Sequence, residues 1–389
     1  MKIVFHHRTQ RKLVEGVHIT GVINGLKGLG HEVIEVALVR KDTFDKSILP
    51  RRMEGFKQRM LRIIAKYLPN FLFRLGEVAY NAVSFFKLRK VFGKVKPALF
   101  YERYAYFNFA GILAAKLCGI PSILEVNIVT AMQDKRKIAL KQLAGFIEKK
   151  ILLSCDVIFV VSNYLKDCLI QHGIDPRKIY VQPNAFTPPA AIRREPIKIK
   201  NLDGNETTIG FLGGLAFWYK LDRLVEVFGA IHTSFPNTRL MFIGDGPERP
   251  VLEEMVERLH LTGKVIFCGR VSHDEAFALL SHVQIGVIPS TNFWGSPMKL
   301  FEYMGSGIPV VAPDLDVITS VMTEGVHGKT FPYDDFSGFK DSLVTLLRDQ
   351  RQRVRMGEAA RQHVLTNHTW DKVAQHIIQV AENVLKNNA

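Results

Sequence analysis

Ser296-Pro297-Met298-Lys299-Leu300-Phe301-Glu302-Tyr303-Met304-Gly305-Ser306-Gly307-Ile308-Pro309-Val310-Val311 reads as a loop, a short helix, a glycine turn and a buried strand. Ser296 is a preferred N-cap and Pro297 suits the first helical position. Lys299 and Glu302 stand three residues apart, so they share one helix face. A helix N-terminus with free amides and a neighbouring lysine attracts a phosphate. A carboxylate one turn further on accepts hydrogen bonds from sugar hydroxyls. The combination suits a nucleotide diphosphate sugar, with phosphates at the helix tip and ribose deeper in. On spacing alone, a capped helix before a core strand, with both charges merely solvated, fits equally well.

The same alternation of apolar runs and helical patterns fills the chain, which argues for parallel sheets with helices on both faces. Strands are expected at Lys2–Phe5, Val33–Leu38, Ala98–Tyr101, Pro121–Asn127, Asp156–Val161 and Lys178–Val181. Helices are expected at Val17–Leu29 and Phe107–Leu117, and Ser162 begins another. From Asn184 to about Asn205 a Pro-containing, charged run reads as linker. A second unit opens with Thr208–Gly214, and its later strands are expected near Arg239–Ile243, Val265–Cys268, Val283–Val287 and Pro309–Val311. The economical reading is α/β, with two doubly wound domains at 1–185 and 206–369, a linker at 186–205 and a final helix within 370–389. In such sheets ligands bind beyond the carboxyl ends of the strands.

At 389 residues, 47% hydrophobic and 23% charged, the chain suits a two-domain soluble enzyme. It has no apolar run of about 18 residues, so no transmembrane helix is expected. Met1-Lys2-Ile3-Val4-Phe5-His6-His7 reads as a first buried strand rather than a signal peptide. Cys118, Cys155, Cys168 and Cys268 lack metal-ligand spacing and read as isolated thiols in a reducing compartment. A cytoplasmic protein is therefore expected. Of the net charge of +15, the segment Arg40–Lys96 supplies eleven, with fifteen Lys or Arg against four acids. Within it Met53, Phe56, Met60, Ile63, Ile64 and Tyr67 recur at helical spacing among basic residues. Such a helix lies on an anionic membrane surface. Residues 51–75 are thus expected to give peripheral contact at the inner face of the cell membrane. The simpler alternative is a helix packed on its own domain with a solvated basic face. No nucleic-acid motif accompanies the patch, so nucleic acid is not an expected partner.

The Ser296–Val311 stretch also resembles the donor motif of the family 4 retaining glycosyltransferases, SPxKLFEYM followed by GxPVV. The resemblance is strong over residues 205–389 and weak before them. It implies the GT-B fold, two Rossmann-like domains facing across a cleft, with the last helix returning to the first domain. It implies transfer of a hexose from a UDP- or GDP-linked sugar, with retention, to a glycolipid or polysaccharide precursor. On the donor side it implicates Gly213 and Gly214, the GxGP-like loop with Gly244 and Gly246, and Gly269, Arg270 and Val271 near the nucleobase. Ser296, Pro297, Met298, Lys299, Leu300 and Glu302 complete that side. Ser272 and Glu275 fit a capping box beside it.

Two departures matter. The family often carries Arg and Lys in a GRLxxxKG stretch that clamps the diphosphate; here Gly214 and Tyr219 hold those positions, with Lys220 the neighbouring substitute. The family's earlier glutamate, eight residues before Glu302, is Trp294, an aromatic expected on the donor side either to stack on the sugar or acceptor or to pack. Lys299 then becomes the leading source of positive charge, and no metal requirement is expected. On the acceptor side, Arg8, Gly16 and His18 follow the first strand and resemble the family's glycine-containing first loop. Arg103 ends another strand. Glu125 and Asn127 flank the point where many members have histidine, and alternation puts both on one face. Glu125 is expected either to be structural or to orient or deprotonate the acceptor hydroxyl. By resemblance the departing phosphate oxygen helps remove that proton. The competing readings are a nucleotide-sugar epimerase or hydrolase, and a non-catalytic scaffold. A dinucleotide oxidoreductase is disfavoured because no GxGxxG follows the first strand.

Overall fold

The computed structural model describes residues 1–9, 14–37, 70–130, 141–188 and 206–387. The chain divides into two compact units, Met1–Gln182 with Asp371–Ala389, and Pro183–Trp370. The basic stretch expected to meet a membrane lies outside the described residues over 51–69, and over 70–75 only its backbone is described.

The first unit contains β1 (Lys2–His7), α1 (Val14–Gly28), β2 (Glu32–Ala37), α2 (Asn70–Val95), β3 (Leu99–Arg103), α3 (Ala110–Leu117), β4 (Ser122–Val126), α4 (Lys141–Ser154), β5 (Val157–Val160), α5 (Asn163–Gln171) and β6 (Ile179–Val181). Its parallel sheet runs β2-β1-β3-β4-β5-β6. Ile3, Val4 and Phe5 are fully buried, as strands covered on both faces must be. Ser162 caps α5, its hydroxyl accepting the Leu165 amide.

The second unit contains β7 (Thr207–Leu212), α6 (Leu221–Ser234), β8 (Thr238–Ile243), α7 (Arg249–Arg258), β9 (Val265–Phe267), α8 (His273–Leu280), β10 (Ile285–Val287), α9 (Met298–Gly305), β11 (Val310–Pro313), α10 (Asp316–Thr319), β12 (Gly328–Phe331), α11 (Phe336–Arg348) and α12 (Gln350–Asn367). Its sheet runs β12-β11-β10-β7-β8-β9. Each sheet has its switch point where the winding reverses, between β1 and β3 and between β7 and β10, and these are the places where such sheets hold ligands. The capping box of α8 forms, with the Glu275 carboxylate accepting from the amide and hydroxyl of Ser272.

Several boundaries differ from those read in the sequence. Strand β12 was not anticipated: Gly328-Lys329-Thr330-Phe331 is a short edge strand without an apolar run. Phe186, read as linker, is buried in the second unit, with its ring against Phe277 and no room for a Cβ on Gly305. The N-cap of α9 is Pro297 and makes no side-chain cap. Ser296 instead uses its hydroxyl and carbonyl to accept from the amide and side chain of Asn184, at 2.9 and 2.6 Å. The last helix, α13 (Trp370–Asn387), belongs with the first unit from Asp371 on. Its His376 bonds the Gln182 side chain and sits edge-on to Phe159.

Candidate active site

The floor of the site in the second unit is backbone. After β7 the chain turns at Gly213, and after β8 at Gly244, with φ of 131° and 134°, a region closed to most side chains. A Cβ on Gly244 would stand 2.1 Å from the Gly213 carbonyl oxygen, and one on Gly246 would stand 2.2 Å from that of Leu215. Leu215 donates its amide to the Asp245 carbonyl, and Gly244 bridges to Gly269 after β9. Three strand ends are thus pressed together with no side chain between them. Gly214, in contrast, is exposed, with its nearest neighbour at 3.9 Å.

Helix α9 docks at the switch point through Tyr303. Its ring covers Gly286 on β10, and its hydroxyl accepts the Leu212 amide while facing the carbonyls of Gly210 and Val287. That single anchor sets the rotation of the helix and turns Lys299 inward. Lys299 is 6% exposed, and its Nζ lies 3.9 Å from the ring centre of Phe211 and 3.5 Å from that of Tyr219, beside Gly213. Among the described residues the ammonium has no hydrogen-bond partner. Burial pushes its pKa well below the ordinary lysine value, against the pull of Glu302. Burial likewise pushes Glu302 up to about 7, against the pull of Lys299. His273 Nε2 stands 3.8 Å from the Glu302 carboxylate. Lys299 is thus buried in a low-dielectric place with the carboxylate of Glu302 as the charge that pulls against its burial, an arrangement that an anion arriving at Nζ would complete.

The other predicted donor residues fall into two sets. Trp294 and Arg270 stand on the loops before α9 and after β9, Trp294 with its amide on Asn292 and Arg270 exposed. Met298 and Leu300 are buried, Leu300 in the apolar core with Val271 packed against it. Their side chains thus belong to the packing of the unit. Lys220 does not replace the missing lysine. It has a left-handed backbone, φ 51°, and pairs with Asp334 near the rings of Tyr333 and Phe336. The residue aligned with the family lysine, Tyr219, instead supplies a face for Lys299.

In the first unit four of the predicted residues converge. Glu125 on β4 is 3% exposed and accepts from the Tyr101 hydroxyl at 2.8 Å, Arg103 at 2.7 Å and Asn127 at 2.6 Å. His18 Nε2 lies 3.0 Å from the same carboxylate. Burial works to raise the pKa of Glu125, but the charges of His18 and Arg103 and hydrogen bonds from His18 and Asn127 overcome it and hold the group well below the usual carboxylate range. A carboxylate so committed is a poor proton acceptor at neutral pH, which favours the structural or orienting readings of Glu125 over that of a base. Asn127 serves it as a donor. Arg8 bonds the Tyr106 carbonyl and lies 5.3 Å over the Tyr80 ring, and Gly16 is buried in the first turns of α1. Sequence reading missed the pair across the β1/β3 switch point: His6 Nδ1 lies 2.5 Å from Glu102, which also accepts from Asn108. The register opposition of His6 and Glu102 is the signal, and it appears only once β1 and β3 are known to be neighbours.

Comparison with known proteins agrees with this geometry. The family model described as Glycosyltransferase Family 4 matches residues 16–188, and that described as Glycosyl transferases group 1 matches residues 192–363. The chain belongs to the family 4 glycosyltransferases, and its pair of parallel six-stranded sheets is the GT-B fold. It is 23% identical over 363 residues to the alpha-monoglucosyldiacylglycerol synthase of Acholeplasma laidlawii, covering 85% of each chain. It is 24% identical to the N-acetyl-alpha-D-glucosaminyl L-malate synthase of Bacillus anthracis over 60% of this chain, a match that spans only 61% of that protein. Among solved structures, HepE of Anabaena in complex with UDP and glucose superposes with a TM-score of 0.70 at 15% identity, covering 98% of this chain and 100% of that one. Among the described residues no helix is long and apolar enough to cross a membrane.

Proposed function

We propose that the protein transfers a hexose from a nucleotide diphosphate sugar, with retention of anomeric configuration and without a metal ion, to a glycolipid or polysaccharide precursor at the membrane. The observation that carries the proposal is the Lys299 Nζ beside Glu302 at the β7/β10 switch point, without a hydrogen-bond partner among the described residues and above a floor of glycine backbone. The diphosphate lies along the Gly213 turn and the α9 N-terminus. The glycines let its oxygens approach the main chain, and Lys299 gains the anion it lacks. As the bond to the anomeric carbon lengthens, negative charge grows on the leaving phosphate, where the ammonium and helix dipole already point. Glu302 accepts from sugar or ribose hydroxyls. Glu125, held ionised, positions His18 and Arg103, and the departing phosphate oxygen takes the acceptor proton.

UDP is favoured over GDP because the fold neighbour HepE is bound to UDP. A lipid-linked acceptor is favoured because a relative aligned over most of this chain is an alpha-monoglucosyldiacylglycerol synthase by name. Calorimetric titration with UDP, GDP, ADP and dTDP, with and without chelator and repeated on Glu302→Ala, tests the reading. It expects one nucleotide to bind with or without chelator, and more weakly to the variant. Absence of all nucleotide binding would point to the scaffold. Release of free sugar or an epimer without acceptor would point to hydrolysis or epimerisation.

A further inference from the structure

Helices α2, α3 and α4 leave an open apolar groove of about 380 Å³ on the first unit, lined by Val78, Ile112, Leu113, Leu143, Phe146 and Ile147. Phe146 is 62% exposed and Leu117, one turn beyond Leu113 on α3, is 63% exposed. Soluble proteins seldom leave such surface contiguous without a use for it. Lys116 and Lys150 also line the groove, Lys150 with its Nζ 5.6 Å over the Phe146 ring.

The charge around it has one sign. From Val78 on, the three helices carry eight Lys or Arg and one acid, Glu148. Glu148 is buried and turned away, accepting from Tyr104 at 2.6 Å and from the amide and hydroxyl of Thr130 at 2.9 Å. A second copy of this face would bring like charges together. An anionic bilayer offers both things the face lacks, an apolar phase for Phe146 and Leu117 and phosphates for the lysines, whose stems reach past apolar surface to place the charge.

We infer that the α2–α3–α4 face docks the protein on anionic membrane, with Phe146 and Leu117 entering the acyl boundary and Lys116 and Lys150 meeting lipid phosphates. This surface is distinct from the donor site, and the inference stands whether or not transfer occurs. The test is flotation of the full chain with vesicles of phosphatidylcholine alone, and of phosphatidylcholine with phosphatidylglycerol. Binding is expected only with the anionic lipid, and it weakens as salt rises. Lys116→Gln with Lys150→Gln lowers the partition by more than about tenfold, at about fivefold per lysine. Phe146→Ser with Leu117→Ser lowers it comparably at unchanged charge. Both double variants keep the wild-type melting temperature and nucleotide binding.

Several outcomes overturn the inference. One is indifference of the wild type to anionic vesicles. Another is full binding by both variants, which places docking elsewhere, as in residues 51–75. A third is loss of melting temperature in the serine variant, which shows the groove covered by the chain itself. The last is a wild-type dimer that the serine variant dissociates.

Discussion

Glu125 and Lys299 are both buried charges at the carboxyl end of a parallel sheet, and they are treated in opposite ways. Glu125 is surrounded by Tyr101, Arg103, Asn127 and His18, and is held ionised. Lys299 lies between two aromatic rings and, among the described residues, has no hydrogen-bond partner. A buried ion costs free energy unless its partners come with it. The first unit supplies them from its own sequence. The second leaves the account open, and that deficit marks where a ligand's charge belongs.

The contrast breaks most severely at Glu125. Glu125→Ala strands Arg103 and His18 beside each other and should destabilise the protein by about 3–5 kcal/mol, read as a lowered denaturant midpoint at unchanged slope. Lys299→Met should do the reverse. It removes a buried charge that no hydrogen bond among the described residues offsets, so stability holds or rises while the transfer rate falls by about 10²–10³, as for loss of one preorganised donor. A fall in both quantities would make Lys299 structural.

The titration of Glu302 sharpens the contrast. Its pKa is about 7 when folded and 4.5 when unfolded, so between these values the folded state holds the extra proton. The stability this gives is complete below pH 4.5 and is lost as pH rises through 7. Glu302→Gln has no such loss, so its stability advantage over the wild type should grow across pH 4.5–7 to about 3 kcal/mol at most. Thermal melts of the two proteins at several pH values check it. The smallest effect is at Tyr219. Tyr219→Leu removes one ring beside Lys299 and should weaken nucleotide binding about fivefold, the worth of one cation–π contact. Tyr219→Phe should leave it unchanged.

Much of this was legible in the residues. The strands of both sheets show because parallel strands buried on two faces read as short apolar runs. The edge strand Gly328–Phe331 does not, since its partner, β11, lies on one side only. Lys299 and Glu302 were legible from their spacing on one helix. Their surroundings were not, because Phe211 and Tyr219 reach Lys299 from a different part of the chain. Lys220 was misjudged for a local reason: its left-handed backbone follows the short 3-10 turn Phe217–Tyr219 and sends the side chain to Asp334. Alternation correctly paired Asn127 with Glu125. Arg103 and His18 joined them only through the order of strands and the seating of α1.

The return of α13 to the first unit bears on how the protein is made. Val373, Ala374, Ile377, Val380 and Ala381 are buried in a helix that groups with Met1–Gln182. Helix α13 is synthesised after the whole of the second unit, yet it completes the unit that was begun before it. The second unit is continuous, so it has all of its residues while translation is still under way. The first must wait, with the surface under α13 uncovered, until α13 itself has been made. A stop codon near residue 370 would thus spare the second unit and leave the first unfinished.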